Sequence, residues 1–130
     1  MSFHTALNGG GTVLTAELRL KQGTTDTNFT ALGDCMVDIQ KGTFGNLSLD
    51  GSDYNADDAN TTPNAFRISG VGQDHWPESD LSSFAPTINT TGYTQFRIYF
   101  APTGTPGPII RWYSGGSANN EPQLIMRYQP

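Results

Sequence analysis

Hydrophobic and polar residues alternate with a period of two along the last third of the chain. Across Thr94 to Phe100, Phe96, Ile98 and Phe100 fall on one face while Gln95, Arg97 and Tyr99 fall on the other, the spacing of a strand with one buried face. Gln123 to Tyr128 repeats the pattern, with Leu124, Met126 and Tyr128 opposed to Gln123 and Arg127, and a third run, Ile109 to Tyr113, lies between them. The connections carry Pro102, Gly104, Pro106, Gly107 and Pro108, then Ser114 to Pro122, turn formers incompatible with helix. Upstream, after the turn Asn8-Gly9-Gly10-Gly11, the alternation predicts a strand over Thr12 to Lys21. Leu14, Ala16, Leu18 and Leu20 face inward there, and Thr15, Glu17 and Arg19 outward. Cys35 to Lys41 reads as a second strand, with Cys35, Val37 and Ile39 inward and Asp38 outward, and Phe66 to Val71 as a short third. Leu81 to Phe84 fits a brief strand or one helical turn. The expected fold is an all-β antiparallel sandwich formed as one domain by residues 1–130.

Composition agrees with that class and removes several functions. The 130 residues include 15 Gly and 8 Pro, with 35% hydrophobic and only 15% charged positions, which suits short strands joined by polar turns. The formal net charge is −5, and the only lysines are Lys21 and Lys41. No basic cluster is present to neutralise a row of phosphates, so nucleic acid is not an expected partner. No apolar run reaches the length of a membrane span, and the N-terminus lacks a signal-peptide pattern. The single cysteine, Cys35, shares its face with Val37 and Ile39, so it reads as a buried, inert thiol rather than a nucleophile. Asn-X-Ser/Thr sequons begin at Asn28, Asn46, Asn60 and Asn89, as chance supplies in a chain rich in Asn and Thr.

Longer runs carry a resemblance. Ile88-Asn89-Thr90-Thr91-Gly92-Tyr93-Thr94-Gln95-Phe96-Arg97-Ile98-Tyr99-Phe100, Arg111-Trp112-Tyr113-Ser114-Gly115 and Glu121-Pro122-Gln123-Leu124-Ile125-Met126-Arg127-Tyr128 resemble the closing strands of DNRLRE-type extracellular β-sandwich modules. Those modules are similar to the carbohydrate-binding modules associated with polysaccharide lyases. The likeness extends back through Met36 to Gly42 and Thr15 to Leu20. It implies a jelly-roll sandwich, an extracellular or cell-surface location, and a non-catalytic polysaccharide-binding, structural or adhesive role. One departure is the loop Ala101 to Pro108, which lacks the acidic residues that related modules carry and that a calcium ion needs.

A second departure lies at the start. Ser2-Phe3-His4-Thr5-Ala6 resembles the end of a strand that, in the family, further strand sequence precedes. A sandwich lacking that strand exposes unpaired backbone groups and apolar core positions, a template for another chain. Two readings are open: the chain is a fragment of a longer protein, or it is a homo-oligomer or filament subunit whose sheet is completed by a strand from a neighbouring copy.

Sugar sites pair aromatic rings, which stack on pyranose faces, with short polar groups that fix hydroxyls. The candidates are Tyr99, Tyr113 and Trp76 for the rings, and Arg97, Arg111, Asn119 and Asn120 for the polar groups, with Tyr93 a further ring and Trp112 expected in the core. Asp50, Asp53, Asp57 and Asp58 form an acidic stretch whose spacing is not that of an EF-hand; they are weak metal candidates at most, for a structural calcium, and read as a solvated loop. Only His4 and His75 offer imidazole bases, neither in a nucleophile motif, so no enzyme is expected. An isopeptide-stabilised adhesin would need a buried lysine, whereas Lys21 and Lys41 end strands at positions that favour solvent.

Overall fold

The computed structural model describes residues 1–25, 32–48, 50–69, 74, 76, 78–100 and 110–130. Nine strands are formed among them: β1 (Ser2–His4), β2 (Thr12–Arg19), β3 (Gln22–Thr25), β4 (Cys35–Lys41), β5 (Thr61–Ile68), β6 (Glu78–Asp80), β7 (Tyr93–Phe100), β8 (Ile110–Trp112) and β9 (Gln123–Gln129). All pairings are antiparallel. One sheet has the order β1-β7-β4-β5, a second β6-β2-β9, and β3 pairs with β8. The architecture is all-β and sandwich-like. The expected strand ends at Val71 and Ile109 fall outside the described residues.

The core forms where the two alternating patterns meet. Ala16, Leu18 and Leu20 from β2 and its extension join Cys35, Val37 and Ile39 of β4 and Phe96 of β7 in one buried cluster. Ile98, Phe100, Leu124, Met126 and Trp112 pack against it, half-buried, as the alternation predicts. Leu81, Ala85 and Ile88 close one end. Leu81 and Ile88 flank, and Ala85 lies within, a 3-10 turn, Ser82–Thr87, tied to β2 by the Leu81 amide donating to the Ala16 carbonyl at 2.7 Å. The segment over Leu81 to Phe84 is thus a helical turn, and Pro86 limits its length.

Three sequence expectations are corrected. Leu14, assigned inward, is 52% exposed. The β2–β9 ladder shifts register between Val13 and Thr15, and the extra residue flips the inward phase from Leu14 to Val13. Tyr128 lies beyond that bulge, opposite Val13, and is 51% exposed. Its ring sits 3.4 Å from where a side chain on Gly11 would begin, and the Gln129 carbonyl 2.7 Å away, so only glycine fits at residue 11. Finally, β5 begins at Thr61 rather than Phe66. Pro63 is accommodated because β5 is an edge strand, where a missing N–H is tolerated.

The bulge gives a direct check. Leu14 and Leu18 share a phase by simple counting, yet Leu18→Ala should cost about 2–5 kcal/mol and Leu14→Ala less than about 1 kcal/mol. Equal losses in urea denaturation would mean that Leu14 is a core residue.

Candidate functional site

The outer face of the four-stranded sheet is polar in sequence and largely covered in the structure. Residues 43–48 and 50–58, including a 3-10 turn over Gly51–Asn55, fold across it and bury Phe44 and Asp53. Gln95 anchors the cover: its Oε1 accepts the Phe44 amide at 2.6 Å, and its Nε2 donates to the Asn46 carbonyl at 3.1 Å. Arg97 does the same from the next outward position of β7. Its Nε donates to Asp38 Oδ2 at 2.9 Å, Nη1 donates to the Tyr54 carbonyl at 2.7 Å, and Nη2 reaches both Asp38 and Asp57. The guanidinium also lies over the Phe44 ring, 4.6 Å from its centroid.

Asp38, expected as solvated charge, is therefore a buried carboxylate, 1% exposed. Besides Arg97 it accepts the Asn64 amide at 2.8 Å and the Tyr99 hydroxyl at 3.3 Å. Tyr99 also donates to Asn64 Oδ1 at 2.6 Å. Burial, then the charge of Asp38, raises the Tyr99 phenol above its ordinary value. Partial burial opposes the charge on Arg97, but hydrogen bonds to Asp38 and Asp57 outweigh it and raise that group. The acidic stretch is likewise structural rather than uniformly solvated. Asp58 accepts from Gln40 Nε2 at 2.9 Å, and that bond leads the causes holding its carboxyl below the ordinary range. Asp50 caps the 3-10 turn, accepting from the hydroxyl and amide of Ser52, which lowers it too. Among the described residues no group of three or more His, Cys, Asp or Glu side chains is arranged to hold a metal ion. Burial pushes the Cys35 thiol up to about 12, so little reactive thiolate forms near neutral pH.

A second cluster forms where β2 runs into β3. Lys21 sits at the junction, only 19% of its side chain exposed, in contrast to the solvent position expected for it. Its ammonium donates to Asn120 Oδ1 at 2.8 Å and lies 3.9 Å from Asp74 Oδ1. Tyr113 and Trp76 flank it, with ring centroids 5.4 Å and 6.0 Å from Nζ. Backbone bonds hold the set in place: Tyr113 N–H to the Lys21 carbonyl, Asp74 N–H to the Gln22 carbonyl, and Asn120 N–H to the Ser117 carbonyl. The Tyr113 hydroxyl donates to Asp74 Oδ1 at 3.0 Å, and that hydrogen bond raises the phenol. A cavity of about 280 Å³ beside the cluster is lined by Gly23, Thr24, Arg111, Trp112, Tyr113 and Ser114, among others.

The seven sequence candidates therefore divide. Arg97 and Tyr99 belong to the Asp38 network and spend their polar groups within the protein. Trp76, Tyr113 and Asn120 converge on Lys21, with Arg111 at the cavity wall and Asn119 beside Asn120, exposed and in the left-handed region at φ 65°. Lys21, weighed in the sequence only as a solvent-facing strand end, and Asp74, not singled out, complete the cluster; 52 residues lie between them and nothing local joins the two. Comparison with known proteins returns no match, whether to a family model, a curated protein or a solved structure.

Proposed function

We propose that this chain is a non-catalytic extracellular or cell-surface module that binds polysaccharide through the Lys21 cluster. The observation that carries the reading is that Lys21 lies near two aromatic rings, Trp76 and Tyr113, and holds Asp74 and Asn120 beside it, with a cavity next to Tyr113. Rings of this kind offer apolar faces to a sugar, and the ammonium, carboxylate and amide supply donors and acceptors for its hydroxyls. The polar groups already satisfy one another, so the site is preorganised and a sugar hydroxyl exchanges with an existing partner at small cost. Nothing in the cluster pairs a nucleophile with a base, which favours binding over turnover.

Binding to a glycan array, followed by calorimetry with the best glycan, tests this. Trp76→Ala and Tyr113→Ala should each weaken binding at least tenfold, about 1.4 kcal/mol, while Tyr99→Phe leaves it within about twofold. An array without a binder, or unchanged affinity in both ring variants, would overturn the reading.

A further inference from the structure

Lys21 and Asn120 meet from distant parts of the chain. Lys21 lies where β2 passes into β3, and Asn120 in the connection between β8 and β9, 99 positions further on. Lys21 Nζ sits 2.8 Å from Asn120 Oδ1, so the carboxamide carbon is one bond, about 1.2 Å, beyond the oxygen that the nitrogen already touches. Asp74 Oδ1 stands 3.9 Å from the same nitrogen and accepts the Tyr113 hydroxyl at 3.0 Å. An amine, a carboxamide and a carboxyl group therefore converge on one nitrogen, with the Tyr113 and Trp76 ring centroids 5.4 Å and 6.0 Å away.

The backbone holds these groups in conformations that few residues adopt. Asp74 has φ 63°, and Asn119, which leads into Asn120, has φ 65°; both lie in the left-handed region, where a side chain costs energy. The Asp74 amide donates to the Gln22 carbonyl and the Asn120 amide to the Ser117 carbonyl, each at 2.8 Å, so the carboxyl and the carboxamide are both carried on hydrogen-bonded backbone. The lysine is drawn in among them with only 19% of its side chain exposed. The single cysteine, Cys35, excludes an internal disulfide, and a link between Lys21 and Asn120 closes most of the chain into one loop, where a cross-link restricts the unfolded state most.

We propose that Lys21 and Asn120 join spontaneously in an isopeptide bond, with Asp74 carrying the proton. As an ammonium, Lys21 is no nucleophile, and the cluster turns over no substrate. The reaction starts when one ammonium proton passes to Asp74, leaving a neutral amine beside a neutral acid, a pair that apolar walls favour over two charges. The amine lone pair then attacks Asn120 Cγ, forming the new N–C bond while the C=O π pair moves onto Oδ1. Asp74 gives its proton to Nδ2 and takes one back from Nζ. As Oδ1 re-forms its double bond, the Cγ–Nδ2 bond breaks and ammonia leaves, removing the proton from Asp74 as ammonium. One ammonium side chain and one carboxamide thus become one amide and one NH4+, with Asp74 regenerated. The amide keeps a donor and an acceptor, and Trp76 and Tyr113 are untouched, so the bond is compatible with sugar binding and does not depend on it.

Intact mass of the denatured full chain tests the bond. The wild type should weigh about 17 Da less than its sequence, one ammonia, and proteolysis should release the Lys21 peptide joined to the Asn120 peptide. Lys21→Arg keeps the charge but cannot form this amide, and should show its full sequence mass and melt at least about 10 °C lower. Asp74→Asn, at a half-exposed position, should fold by circular dichroism yet stay unlinked. Asn120→Asp should lose about 18 Da, one water, because an amine and a carboxylic acid condense to the same amide. A wild type at full sequence mass, or without the joined peptide, would overturn the proposal. So would the same deficit in Lys21→Arg, as succinimide formation at Asn8-Gly9 would give, or linkage in Asp74→Asn equal to that of the wild type.

Discussion

Arg97→Ala is expected to destabilise the protein by about 3–5 kcal/mol, the largest loss of any single charge in the chain. The effect comes from the partner left behind. Asp38 keeps its two neutral donors, Asn64 N–H and Tyr99 O–H, but its carboxylate stays buried without a cation. The same substitution also frees the Tyr54 carbonyl and the Asp57 carboxylate, which tie residues 50–58 to the sheet. Removing the charge from both partners tests the cause. The double variant Asp38→Asn/Arg97→Met should recover part of the loss, because a neutral amide accepts the same two donors at smaller desolvation cost. Chemical denaturation of the two single variants and the double measures it. A loss under about 1 kcal/mol for Arg97→Ala would place the pair among solvent-screened surface bridges.

Phe96→Ala should cost a similar amount, about 3–5 kcal/mol, for a different reason. Phe96 is 1% exposed and meets Phe3 edge to face, with centroids 5.7 Å apart. Truncation leaves a cavity between the layers and loosens β1, whose hold on β7 is three residues of register plus Met1. Ile125→Ala, at an outward position of β9 and 41% exposed, should change stability by no more than about 0.5 kcal/mol. If the two variants unfolded at the same urea concentration, β7 would not be the central strand of the core. Loss of the Met1–Phe96 bonds in the Phe96 variant would register separately, as faster amide exchange in β1.

Both substitutions fall within one short run, and the run shows what local sequence can and cannot say. The alternation Phe96, Ile98, Phe100 is a property of adjacent residues and reads directly as one apolar face. Its polar partners, Gln95, Arg97 and Tyr99, read equally well as a wet face or as a ligand platform. In the structure Gln95 is fully buried and Arg97 nearly so, because a loop some 50 residues earlier in the chain lies over them. Asp38 was misread on the same ground: its phase along β4 is outward, but outward from this sheet is not solvent. The Leu14 error has another source. A bulge moves one residue out of step, and no composition signal in Thr12 to Thr15 marks it.

The candidate site follows the same division. Aromatic and amide residues in the final third were visible as sugar-binding types, yet their grouping was not. Tyr113 reaches Lys21 because β3 pairs with β8, and Trp76, far from both in sequence, approaches the same ammonium.

From sequence alone the chain is determined to be all-β, with its inward faces correctly phased on β4 and β7 and, on β9, at Leu124 and Met126 but not at Tyr128, since period-two burial is encoded within a few consecutive residues. Which polar residues are buried and which candidates gather around Lys21 were decided by the tertiary structure. Each depends on contacts between segments tens of residues apart, and alternation carries no information about what a face will meet.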